Sequence, residues 1–229
     1  MSAFIDRPGE GAFFAGDLPP SKRASRDLLL DATSELMVER NTTQVSFGEI
    51  SQRSGINAAL IRYYFGSKQG LLEALLERDA GGTFAALEQL VNAPLDAIEK
   101  LRHHVHGIIK VYHRFPYMNR LVGTLSAESD SETARFISQR FTRPLAAAQS
   151  AILQQGLNEG VFRPIEPMLF YFSLIGACDH LFHARSALYH AFGVRDIDDA
   201  LRRRYADHIC ALLLDSIRAV APSERAPAS

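Results

Sequence analysis

Apolar positions recur at three- and four-residue spacing over most of the chain. Leu28, Leu29, Ala32, Leu36 and Met37 form one such stripe, which predicts an amphipathic helix over 22–40. No run of four to eight residues alternates as a strand, and no repeat or low-complexity segment is present. Between 41 and 67 the polar residues act as punctuation. Ser46 and Glu49 have the spacing of a capping box and open a short helix over 46–53, which Gly55 stops. Asn57 caps a second short helix over 57–64; Gly66 ends it, and Ser67 caps a longer one. Two short helices joined by the four residues "RSGI" have the spacing of a helix-turn-helix. Further breaks predict helices over 67–90, 95–113, 117–127, 131–158, 167–191 and 197–219. Gly81–Gly82 is a weak point in the first of these, and Pro144 should kink the fourth. The expectation is therefore an all-α chain of about nine helices. A helix-turn-helix domain spans 21–70, a larger helical bundle 71–220, a flexible arm 1–20 and a flexible tail 221–229.

The second short helix has the composition of one that enters a DNA major groove. Asn57, Ala58 and Ala59 keep its start small and polar, so its backbone can approach a duplex. Arg62 offers a five-donor fork, Tyr63 and Tyr64 offer phenols, and Lys68 follows in the first turn of the next helix, where free N–H groups favour an anion. Ile56, Leu60 or Ile61, and Phe65 remain as anchors, and one of the two tyrosines is expected to pack inward. Charge changes this picture only locally. The chain carries net −1, but 21–70 holds seven bases against five acids, which leaves the positive character at this end. Lys22 and Arg23, in "SKRASR", can lie along a phosphate backbone or enter a minor groove.

"SFGEISQRSGINAALIRYYFGSKQGLLEALL" resembles the DNA-binding segment of the TetR family of bacterial regulators, and "RDLLLDATSELMVERN" has the character of that family's first helix. The resemblance covers about 22–76. It implies that Ser46 is a phosphate-binding hydroxyl, that Ala58, Ala59 and Arg62 touch bases or backbone, and that Tyr63, Tyr64 and Lys68 grip phosphates. Leu60 and Arg62 depart from the family pattern, where Thr or Ser and Tyr are common. Leu60 suits a thymine methyl and Arg62 a guanine, so no operator sequence transfers. The family also implies a C-terminal lobe that binds a small-molecule effector and forms a homodimer, and hence a ligand-responsive regulator, most often a repressor, on a palindromic double-stranded DNA operator.

The C-terminal half is read for that lobe. "MLFYFSLIGACDHLFHARSALYHAF" is apolar nearly all round, which predicts a buried helix facing both a pocket and a second subunit. "YADHICALLLDSIRAV" carries a stripe at Ile209, Leu212, Leu213 and Ile217. Tyr112, Phe115, Leu121, Phe141, Phe170, Leu174 and His180 are the candidate effector contacts. Asp179 with His183, and His180 with His183, have the spacing to share a helix face, which leaves open a metal-responsive regulator of the same fold or an all-helical enzyme using the C-terminal histidines. No HExxH, GxSxG or Gly-rich phosphate loop accompanies them, so neither a metal, a cofactor nor catalysis is assigned. Cys178 and Cys210 fit no zinc or redox spacing and read as buried thiols. No apolar leader is visible in the first 20 residues, and the apolar stretch 168–178 falls short of the ~20 residues a membrane span needs. The expected compartment is the cytoplasm.

Overall fold

The computed structural model describes residues 20–127 and 131–219, with side chains in the first helix described from Arg23 onward. The expected arm and tail, and the side chain of Lys22, lie outside the described residues. All described elements are helical apart from one isolated β-bridge, Phe162 to Arg218. Three helices form the N-terminal lobe: α1 (Pro20–Arg40), α2 (Phe47–Ser54) and α3 (Ala58–Phe65). The rest are α4 (Lys68–Asn92), α5 (Ala97–Arg114), α6 (Met118–Leu125), α7 (Glu132–Ile137), α8 (Arg143–Asn158), α9 (Pro167–His183), α10 (Arg185–Phe192) and α11 (Asp199–Ile217).

The periodicity of α1 becomes burial. Leu29, Leu30, Ala32, Leu36 and Met37 are enclosed, while Leu28 faces out. Thr33, in the middle of that buried face, donates its hydroxyl to the Leu29 carbonyl at 2.7 Å, so its polar group has a partner. α4 runs unbroken past Gly81 and Gly82 because Leu76, Ala80 and Leu87 hold it to the core on either side. It belongs to both lobes, since one continuous apolar cluster extends from Leu29 to Ile217.

Three expectations are corrected. The single helix over 131–158 is α7, a π-helical turn over Ser138–Thr142, and α8. Pro144 sits in the first turn of α8, where its missing N–H costs nothing, and the Arg143 N–H reaches back five residues to the Ser138 carbonyl. The ladder is absorbed as a widened turn, and Pro144 does not kink a continuing helix. The helix over 167–191 divides at Ala184, with no Gly or Pro there. The last carbonyl of α9, that of His183, instead accepts from the Asn41 side chain at 3.2 Å. Lastly, α9 is not buried all round. Phe170, Leu174, Ile175, Cys178 and Phe182 point inward, whereas Met168, Leu169 and Phe172 are exposed. Leu212 of the α11 stripe is exposed as well, while Ile209, Leu213 and Ile217 are buried.

Candidate nucleic-acid interface and effector cavity

Local hydrogen bonds set the geometry of α2 and α3. The Glu49 N–H donates to Ser46 Oγ at 3.3 Å, and the Ser46 N–H returns to Glu49 Oε2 at 2.7 Å, completing the capping box. Arg40, at the end of α1, pairs with Glu49. That pairing, together with the Ser46 bonds, holds the Glu49 carboxyl down to about 2. Arg53 near the end of α2 pairs with Glu35 and Glu39, tying α2 to α1. Gly55 turns the chain at φ 71°, and Gly66 does so at φ 68°, a left-handed conformation that side chains resist. The Ala59 N–H donates to Asn57 Oδ1 at 2.8 Å, and the Gly70 N–H donates to Ser67 Oγ at 3.0 Å.

The packing of α3 resolves what the sequence left open. Ile61 is its anchor, fully enclosed, and Leu60 is on the outer face. Tyr64 is the half-buried tyrosine, edge-on to both Tyr63 and Phe65. Tyr63 is 63% exposed. The Arg26 guanidinium lies over the Phe65 ring at 5.2 Å, closing α1 onto the base of α3. Ser46, Asn57, Ala59, Leu60, Arg62, Tyr63 and Lys68 are all exposed, with Ala58 half-buried beneath them. Arg23 is exposed near the start of α1. Lys68 also borders a groove of about 550 Å³ between the α1–α2 connection and α6–α7.

A second feature is a cavity of about 90 Å³ between α4, α5, α6, α8 and α9. Of the residues expected there, Tyr112 and Phe141 line it. Leu121, Phe170 and Leu174 are buried in the core but face away from it, one helical phase from the lining residues Val122 and Tyr171. Phe115 packs instead between Tyr117 and the Arg114 guanidinium. His180 is exposed on α9, which removes it from the set of cavity contacts. The cavity wall includes residues the sequence reading missed: Leu76, Ala80, Thr83 and Phe84 on α4, and Met118 and Asn119 on α6. The α4 group has i, i+4, i+7, i+8 spacing, a signal available in the sequence. Every polar group in the lining is uncharged.

The residues of α6 and its N-cap divide between the cavity and the N-terminal lobe. Tyr117 donates its hydroxyl to Asp79 of α4 and accepts from Ser34 of α1 at 2.8 Å. Burial, and then the Asp79 charge, push its phenol well above the usual range. Met118 and Asn119 line the cavity. Arg120 then grips Asn41, donating to its backbone carbonyl at 2.7 Å and to its side-chain oxygen. Asn41 ends α1 at φ 49°, a left-handed position asparagine tolerates.

Among the described residues, no three His, Cys, Asp or Glu side chains come together as metal ligands. His183 is exposed, and Asp179 is buried with Asn119 Nδ2 at 3.1 Å from its Oδ2. Cys178 and Cys210 are buried and unbridged, and burial raises the Cys210 thiol to about 11. No described helix is long and apolar enough to cross a membrane.

His104 has an acid signature. Burial alone lowers it from 6.5 to about 4, so the fold holds the ring neutral. A depressed folded value contributes stability that is complete above the unfolded value and is lost as pH falls through the folded one. Denaturant midpoints should therefore drop between pH 6.5 and about 4 in the wild type. His104→Leu should flatten that interval; equal slopes for the two proteins would contradict the assignment. The Glu49 contribution is lost mostly below this window, between 4.5 and about 2, and overlaps it only at its acid edge.

A model of the tetracyclin repressor-like C-terminal domain matches residues 94–223, and a model of the tetR family of bacterial regulatory proteins matches 29–75. The transcriptional activator FasR of Mycolicibacterium smegmatis is 27% identical over 158 residues, which cover 68% of this chain and 64% of FasR. The transcriptional regulator FadR of Bacillus subtilis, solved with stearoyl-CoA, superimposes with a TM-score of 0.61 at 17% identity, over 83% of this chain and 98% of FadR. The ketosteroid transcriptional regulator KstR2 of Mycobacterium tuberculosis gives 0.61 at 18% identity, over 84% and 94%.

Proposed function

Since this chain belongs to the TetR family of bacterial regulatory proteins, we propose that it is a dimeric DNA-binding repressor released from a palindromic operator by a small apolar effector. Residues 21–70 serve as the DNA-reading lobe and 71–220 as the effector and dimer lobe. The carrying observation is the outward face of α3 and its flanks, where Arg62, Tyr63 and Lys68 stand exposed on a helix held from behind by Ile61. Arg62 reads a base edge in the major groove; Ser46, Tyr63, Tyr64 and Lys68 hold phosphates, and Lys22 and Arg23 extend the contact along the backbone. Met168, Leu169 and Phe172 of α9 and Leu212 of α11 form the apolar surface for the second copy. That copy places a second α3 in a successive major groove.

An effector in the cavity acts through α6. Met118 and Asn119 touch the ligand while Tyr117 and Arg120, on either side of them, hold α1 and α4. Any ligand that favours a shifted α6 moves Asn41 and the α1 helix it ends, and weakens operator affinity by its preference for that state. The stearoyl-CoA bound to the structurally similar FadR supports an effector with a long apolar part without identifying it. The proposed compartment is the cytoplasm, where the operator is. A gel shift with the DNA flanking its own gene tests the reading. Binding at least about a hundredfold tighter than to random DNA at matched salt is expected, against the ~10³ or more typical of specific sites. Equal binding to both would overturn it.

A further inference from the structure

Five buried side-chain polar atoms among the described residues have no hydrogen-bond partner: Arg120 Nε, Asp179 Oδ1, and, on α5 and α8, Nε2 of His104 and the amide nitrogen and oxygen of Gln149. Arg120 and Asp179 are each held through their other polar atoms, by Asn41 and Asn119, so His104 and Gln149 are the pair of interest. The two side chains are 3% and 1% exposed. Orphaned donors and acceptors this deep are rare in native proteins, because water is lost without a replacement bond. They lie on facing helices. Lys100 Nζ donates to Gln155 Oε1 at 2.9 Å, which sets the start of α5 against the end of α8. At the other end of the same antiparallel pair, Ile108 and Tyr112 of α5 meet Leu145 of α8 in the cavity wall. His104 is one turn from Ile108, and Gln149 one turn from Leu145, both on the buried faces of their helices. Neither side chain lines the open cavity; by helical register each is one turn beyond a residue of its wall, on the side toward Lys100.

We propose that this is a head-group subsite of the effector pocket, in which His104 and Gln149 bind an uncharged group that both donates and accepts hydrogen bonds, while the apolar cavity takes the body of the molecule. The inference rests on the effector reading above and specifies its ligand. Gln149 presents one acceptor and two donors, which a carboxamide or hydroxyl complements and a hydrocarbon does not. His104 is neutral near pH 7, so it acts as a donor or acceptor and not as a counter-ion. Lys100, one turn before His104 on α5, is already bonded to the Val91 carbonyl at 2.6 Å and to Gln155, whose amide in turn bonds Glu159. A carboxylate head would meet no free counter-charge on the cavity side, since the lining there is uncharged.

The test uses the full chain, with the neutral dye N-phenyl-1-naphthylamine as cavity reporter and octanamide, octanoate and octane as competitors at pH 8. Octanamide should displace the dye at about tenfold lower concentration than either of the others, the discrimination of one buried hydrogen-bonding site. In Gln149→Leu the three competitors should converge to within about threefold, because the partner of the head group is gone. The free Gln149→Leu protein should also melt higher than wild type, since it no longer buries an unpaired amide. The inference fails if the dye does not enter, if octanoate competes as well as octanamide, if Gln149→Leu keeps the preference, or if Gln149→Leu melts lower or fails to fold. The last result would mean the amide is satisfied in the free protein, as by a bridging water. The gel shift above is read separately, so loss of the subsite and loss of the regulator reading are distinguishable.

Discussion

Gly156→Ala is expected to destabilise the chain by about 3 kcal/mol, the upper range for forced overpacking, and to lower Tm by roughly 6–12 °C for a chain of this size. A Cβ at Gly156 would stand 1.9 Å from Cδ2 and 2.4 Å from Cε2 of the Phe162 ring, well inside van der Waals contact. The ring cannot retreat easily. Phe162 is buried, its N–H donates to the Gly156 carbonyl at 3.0 Å, and the strand-like segment it belongs to is pinned to the end of α11 by Arg163 N to Ile217 O at 2.8 Å and Ala219 N to Val161 O at 3.0 Å. Relief must come from α8 or from the α11 end, and both pack on the core. Thermal unfolding of the variant gives the answer, and Gly156→Ala/Phe162→Leu should recover part of the loss by opening room for the methyl. A Tm within 2 °C of wild type would show that the segment yields freely, and a double variant that melts no higher than Gly156→Ala would show that the Phe162 ring is not the source of the loss.

Arg62→Ala and Lys68→Ala should both weaken operator binding while differing in kind. Arg62 stands on the outer face of α3, one turn from Ala58 and Ala59. Removing a bidentate pair of hydrogen bonds to a base costs about 1–3 kcal/mol, roughly a 5- to 150-fold drop in affinity, and relaxes sequence preference at one base pair of each half-site. Lys68 opens α4 beside the Ser67 cap, where backbone N–H groups already favour an anion. Its loss should weaken binding to all sequences alike and reduce the slope of log K against log salt by about 1 per protomer. Titrations of both variants at several salt concentrations separate the two roles. An Arg62→Ala protein with unchanged sequence preference would reassign that side chain to the backbone. Neither residue packs in the core, so both variants should melt like wild type.

These two predictions draw on different kinds of information. The exposed surface around Arg62 was legible because it is built from contacts a few residues apart. Ser46 with Glu49, Asn57 with Ala59 and Ser67 with Gly70 are bonds across two or three positions. Gly55 and Gly66 mark positive φ by composition alone. The cavity was only partly legible. Tyr112 and Phe141 line it, but Phe115, Leu121, Phe170, Leu174 and His180 do not. An apolar residue on a nearly all-apolar helix such as α9 carries no mark of the direction it faces. A shift of one residue turns a side chain by about 100°, enough to exchange Phe170 for Tyr171 at the wall.

The sequence by itself determined the all-helical class, the two short helices and their turn, the outward chemistry of Arg62 and Lys68, and the local charge at the N-terminal end. Each follows from periodicity, caps or composition, which act within a helical turn or two. Only the tertiary structure decided that Ile61 anchors α3 while Leu60 faces out, that Tyr64 is the tyrosine turned inward, and that α9 ends where Asn41, 142 positions away, takes the carbonyl of His183. It alone also set the Phe162 ring against Gly156 and left Nε2 of His104 and the Gln149 amide buried without partners. Those outcomes depend on which face of one helix meets which face of another, a choice made by close packing between distant segments and not by any residue's own propensity.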